Sequence, residues 1–96
     1  MPASPLSETE INSRLNSLST WQLESGQLVR TFSFADFRNA LAFVNKVGDL
    51  AEAAGHHPDI DIRYNRVRLA LVTHDAGGLT KNDFELAEKI NASTKS

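Results

Sequence analysis

Cysteine is absent from the 96 residues, which removes disulfides, thiolate metal ligands and a thiol nucleophile together and leaves packing to stabilise the fold. A reducing compartment suits such a chain, and a cytoplasmic location is the expectation. Long apolar runs are missing too. The longest, Ala40 to Val44, falls far short of the ~18 residues that cross a bilayer or the ~7–15 of a signal-peptide core. No membrane partner is therefore expected. Nor is there an excess of positive charge, since 10 Lys and Arg face 12 Asp and Glu for a net charge of −2. Direct nucleic-acid binding, which draws on a basic surface, is disfavoured. What remains is 41% hydrophobic and 23% charged, enough apolar surface to offset the ordering entropy of one core. The expectation is one domain over residues 1–96, with loose ends at 1–5 and 92–96.

Local patterns then divide the chain. Ser7 with Glu10 is a capping box, flanked by Leu6 and Ile11 as a hydrophobic staple, and predicts a short first helix with Ile11, Leu15 and Leu18 on its apolar face. From Trp21 the period changes to two. Trp21 and Leu23 alternate with polar residues, Ser25-Gly26 turns the chain, and Leu28, Arg30 and Phe32 continue the alternation. A two-residue turn pairs Glu24 with Gln27, Leu23 with Leu28 and Trp21 with Arg30, laying the guanidinium on the indole. Ser33 is the expected cap of a main helix whose apolar positions are Phe37, Leu41, Val44, Val47 and Ala51, weakened at Gly48 and stopped at Gly55. Ile60, Ile62 and Tyr64 form a third strand, Asn65-Arg66 a turn, and Val67, Leu69 and Leu71 a fourth. After Asp75-Ala76-Gly77-Gly78, Thr80 and Asp83 make a second capping box, with Leu79 and Phe84 as its staple, for a helix carrying Phe84, Ala87 and Ile90. The order α-β-β-α-β-β-α, with half-polar strands and one-faced helices, predicts an α+β two-layer sandwich with helices on one face of a four-stranded antiparallel sheet.

The three histidines, His56, His57 and His74, all fall between the end of the main helix and the end of the last strand. Imidazole, with an ordinary pKa of about 6.5, both gives and takes a proton near neutrality. A plainer account puts His56 and His57 in a solvated connection and leaves His74 to end a strand. A metal site with Asp59, Asp75 or Asp83 lacks every usual ligand spacing. Glu52 stands four residues before His56, facing it if the helix persists. Asp83 has a structural role as the partner of the Thr80 cap. Trp21, the only tryptophan, suits the core, or else a flat heteroaromatic ligand. Arg63, Arg66 and Arg68 read as a solvated sheet edge, and Gly77-Gly78 as a turn, not a phosphate loop.

Glu52-x-x-x-His56-His57-Pro58, followed by Tyr64, His74 and Asp83, resembles the signature of the pterin-4a-carbinolamine dehydratases, and the likeness extends from about Ser7 to Asn91. The resemblance implies an enzyme, a hydro-lyase that dehydrates 4a-hydroxytetrahydropterin to quinonoid dihydropterin, recycling the pterin for an aromatic amino acid hydroxylase. It implies the same α+β fold, a homodimer or homotetramer, no metal or organic cofactor, and a pterin as substrate. Its site residues fall here on His56, His57 and His74, with Glu52, Asp83, Trp21 and Pro58 in support.

The chemistry makes independent sense of several imidazoles. Losing water across C4a and N5 takes a proton from N5 and delivers one to the departing hydroxyl, because hydroxide, the conjugate base of water with pKa about 15.7, leaves poorly. One ring must be charged and another neutral. On this reading His57 and His74 carry the protons while His56, oriented by Glu52, binds the pterin. Strict alternation leaves one question, since it puts Val67, Leu69, Leu71 and Thr73 on one face and His74 on the other. Either the site opens away from the helices, or the strand ends or bulges before His74. A second expectation is a non-catalytic dimerisation module, because some members of the resembled family act as cofactors of a transcription factor.

Overall fold

Ser7 and Glu10 form their capping box and start α1 (Glu8–Leu15). The Ser7 N–H donates to Glu10 Oε1 at 3.0 Å and, with the Ser7 hydroxyl beside it, holds the Glu10 carboxyl below its ordinary value. The computed structural model describes residues 4–94, so the expected loose ends at 1–3 and 95–96 lie outside the described residues. The other end of the expected tail is ordered, because α3 (Lys81–Ser93) runs past Asn91.

Ser25 and Gly26, with φ of 50° and 78°, make the two-residue turn between β1 (Gln22–Glu24) and β2 (Gln27–Ser33). The register pairs Glu24 with Gln27 and Leu23 with Leu28, as the alternation predicts. The Trp21–Arg30 stack does not form. β1 begins only at Gln22, leaving Trp21 outside the ladder, and the Arg30 guanidinium lies over the Phe32 ring, 4.0 Å from its centroid. Arg30 and Trp21 instead meet at Asn91, whose Oδ1 accepts from Arg30 Nη1 at 2.6 Å and from Trp21 Nε1 at 2.8 Å. Burial pushes the Arg30 guanidinium below its ordinary value.

The cap of α2 (Phe37–Ala54) is Asp36, whose side chain accepts from the Asn39 N–H at 2.8 Å. Ser33 is instead the last residue of β2, paired with Arg66. The buried stripe of α2 is accordingly Ala40, Phe43, Val47 and Ala51, while Phe37 and Leu41 remain exposed. β3 (Asp59–Arg63) and β4 (Arg66–Leu71) turn at Tyr64-Asn65, one residue earlier than Asn65-Arg66. That shift leaves Tyr64 exposed with φ 53°, a backbone region bulky residues rarely adopt.

The sheet is antiparallel in the order β1-β2-β4-β3. One face carries Leu28, Phe32, Val67, Leu69 and Leu71 into a core completed by Phe43 and Val47 of α2 and by Phe84, Ala87 and Ile90 of α3. This is the expected two-layer α+β sandwich. On the other face Arg68 pairs with Glu24 at 3.3 Å, and Arg63 with Asp61 at 3.4 Å, so the arginines are solvated as expected, but only Arg63 lies on an edge strand, because Arg66 and Arg68 belong to β4 inside the sheet. No helix among the described residues is long and apolar enough to cross a membrane.

A Cβ added at Gly48, inside α2, meets no atom within 4 Å. Gly48→Ala should therefore stabilise the protein by about 0.5–1 kcal/mol through the lost freedom of the unfolded chain. Chemical denaturation measures this, and a lower midpoint would mean the position is not open.

Candidate active site

Two internal segments are brought together by strand register. Asp59, first in β3, pairs with Ala70 near the end of β4, so the residues before β3 lie beside those after β4. Gly55 supplies the first half: at φ 64° it ends α2 in the left-handed conformation, and the His56 N–H returns to the Ala51 carbonyl at 3.1 Å. The chain thus leaves the helix at His56-His57-Pro58. Beyond β4, Thr73 and Gly78 form a β-bridge around a 3₁₀ turn, His74–Ala76, closed by Gly77 at φ 78°. This answers the question of face, because the strand ends before His74 and the turn redirects it.

His56, His57 and His74 line one open cleft of about 250 Å³, together with Gly55, Thr73 and Asp75. A larger hollow of about 490 Å³, bounded by Phe34, Phe43, Lys46 and Thr94, contains no histidine. Size favours the second, but imidazoles, which give and take protons near neutrality, line only the first.

Each imidazole of the adjacent pair has its own carboxylate, and the pairing differs from the sequence expectation. His56 Nε2 lies 2.5 Å from Asp83 Oδ1, whereas Glu52 Oε2 lies 2.5 Å from His57 Nε2. Glu52 does not orient His56 because the helical spacing that would align them stops at Gly55. The two pairs also differ in setting. Asp83 is fully buried and the His56 side chain only 15% exposed, while His57 and Glu52 are 62% and 77% exposed. Water and salt screen the second pair, so the first is the firmer constraint.

Asp83 keeps its capping role as well. Its Oδ2 accepts from the Thr80 N–H at 2.9 Å, so one carboxylate serves the α3 N-terminus with one oxygen and His56 with the other. Trp21, 3% exposed, packs edge-on to Phe32 with centroids 6.1 Å apart and does not line the cleft. Pro58 is half-buried just before β3. Thr73 was not anticipated as part of the site. The clue was its place beside His74, seven residues before the Thr80 cap. Among the described residues, no three His, Asp or Glu side chains gather as a metal ion would require.

Residues 4–93 match the family model described as pterin 4 alpha carbinolamine dehydratase. The chain belongs to this family. Among its relatives, a protein of Acidobacterium capsulatum provisionally named pterin-4-alpha-carbinolamine dehydratase is 62% identical over 91% of this chain and 95% of its own length. One from Chloroflexus aurantiacus with the same name is 64% identical over 90% and 92%. A crystal structure described as a transcriptional coactivator/pterin dehydratase from Brucella melitensis superposes with a TM-score of 0.91 at 36% identity, covering 96% of this chain and 100% of that one. A pterin dehydratase-like protein, identified as a RuBisCO assembly factor in the alpha-carboxysome, shares the fold at a TM-score of 0.64 and 23% identity over 79% of this chain and 88% of that one.

In this dehydratase family member Asp83 ties the site to the fold. Asp83→Ala should cost about 3 kcal/mol, since it strips a buried cap and leaves buried donors unpaired. Urea denaturation tests this, and a loss under about 1 kcal/mol would mean the carboxylate is not the constraint described.

Proposed function

We propose that the protein dehydrates 4a-hydroxytetrahydropterin to quinonoid dihydropterin and water by histidine acid–base catalysis, returning pterin to an aromatic amino acid hydroxylase. The observation that carries the reading is the convergence of three imidazoles, from two separate stretches of chain, on one open cleft. Family membership supports the reaction class.

The pairing of carboxylates reassigns the roles within the trio. His56, held by a buried carboxylate, has the fixed orientation that proton transfer needs, much as a buried Asp holds the histidine of a hydrolytic triad. His56 and His74 therefore carry the protons. One takes the hydrogen from N5, the other protonates the hydroxyl on C4a, and the C4a–O bond breaks as the C4a=N5 bond forms. His57, exposed with Glu52, contacts the pterin.

Stopped-flow absorbance of enzymatically generated 4a-hydroxytetrahydropterin tests the class, with faster decay expected in the presence of the protein. His56→Ala and His74→Ala should each lower kcat by about 10²-fold or more, and His57→Ala should chiefly raise KM. Unchanged decay with the wild type removes the reading. Unchanged kcat in both variants removes the assignment.

Self-association accompanies this reading. Phe37 and Leu41, one turn apart on α2, are 45% and 39% exposed, apolar surface that a second copy would cover. Light scattering should report a dimer or tetramer, and Leu41→Glu should shift it toward monomer. The Brucella protein's description as a coactivator favours a second reading, a binding role independent of catalysis. It is distinguished by partner capture that survives loss of all three histidines.

A further inference from the structure

The Thr73 hydroxyl sits one step behind the cleft. It donates to Asp83 Oδ2 at 2.8 Å and lies 2.8 Å from the Thr80 hydroxyl. A threonine has one hydroxyl hydrogen. With that of Thr73 directed to the carboxylate, the Thr80 hydroxyl is the donor in the Thr–Thr contact, while Thr80 Oγ1 accepts from the Asn82 N–H at 3.2 Å. The result is a directed chain, Thr80 to Thr73 to Asp83, in which no donor is left over for a ligand.

Its effect falls on His56. An ionised carboxylate only accepts, so Asp83 Oδ1 takes the hydrogen on His56 Nε2 and leaves Nδ1 as the ring nitrogen open to a substrate. Asp83 Oδ2 is held from two sides, by the Thr80 N–H at 2.9 Å and the Thr73 hydroxyl. Without the second donor the carboxylate can rotate about its own axis, and the tautomer and tilt of His56 loosen with it. Thr73 is itself fixed by backbone: its N–H donates to the Gly78 carbonyl at 3.2 Å, and its own carbonyl accepts from Ala76 and Gly77, both at 3.1 Å. The turn that presents His74 therefore also aims the hydroxyl that sets His56.

We propose that Thr73 is a positioning residue, whose hydroxyl locks Asp83 and thereby selects the Nε2–H tautomer of His56 and its orientation in the cleft. As a statement about rate this rests on the dehydratase reading. As a statement about the imidazole it does not.

The test compares wild type, Thr73→Val and Thr73→Ser, reading the His56 ring nitrogens by ¹⁵N NMR at a pH where the ring is neutral, alongside pterin turnover. Wild type and Thr73→Ser should show Nε2 protonated and Nδ1 bare. Thr73→Val, which keeps shape but not the donor, should show mixed tautomers and a kcat about tenfold lower, with KM changed less than about twofold. Should Thr73→Val not fold, Thr73→Cys, with its weak S–H donor, should shift both readouts the same way by less. Retention of the wild-type tautomer in the folded donor-poor variant overturns the proposal, even if turnover falls, because that loss would be structural. Failure of Thr73→Ser to restore the wild-type tautomer overturns it as well. If the wild type does not dehydrate the pterin, the functional reading fails while the tautomer comparison still decides the role of Thr73.

Discussion

The Asp83 carboxylate joins three parts of the chain that share no continuous element: the N-terminus of α3, the turn after β4 and the residue that leaves α2. A fully buried carboxylate is costly unless its oxygens are satisfied, and here two of its three partners, His56 and Thr73, line the cleft while the third, Thr80, caps the helix. Fold and candidate site therefore meet in one side chain. The helix end favours the negative charge, the threonine fixes its rotation, and the imidazole completes it. The same group that starts the last helix orients the histidine of the cleft.

Around that carboxylate the backbone performs two terminations. Gly55 turns left-handed and frees His56 from helical periodicity, and Gly77 does the same for the short turn that begins at His74. Both occur at the end of the sheet where β3 starts and β4 stops, so antiparallel register places the ends side by side. A cleft made this way is open and polar. The more regular and more buried parts of the fold lie behind it.

Much of the fold is legible from short-range chemistry. The two capping boxes, the Ser25-Gly26 turn with its register, and the stripe of Phe84, Ala87 and Ile90 each depend on residues within a few positions of one another. At Ser33 and Tyr64 two local rules compete. Ser33 and Asp36 are both good caps, and pairing of Ser33 with Arg66 across the sheet kept the strand going to the later one. Tyr64 continues the alternation of Ile60 and Ile62, yet Arg63 pairs with Arg66 and commits Tyr64 to the turn. For Ser33 a partner distant in sequence decided between near-equal local choices, whereas for Tyr64 the decision lay in the register of its own hairpin.

The site divides along the same line. From the chain alone come the three imidazoles, their carboxylate neighbours and the likeness to a dehydratase signature, because residue types and spacings are one-dimensional facts. The partnership of each imidazole is not one-dimensional. Spacing along a helix suggests Glu52 for His56, but once Gly55 breaks that helix the nearer acceptor is Asp83, 27 residues away and delivered by the packing of α3. Trp21 and Arg30 likewise find Asn91, not each other. Hydrogen-bond partners are chosen by distance in space, and that choice waits until the helices have settled on the sheet.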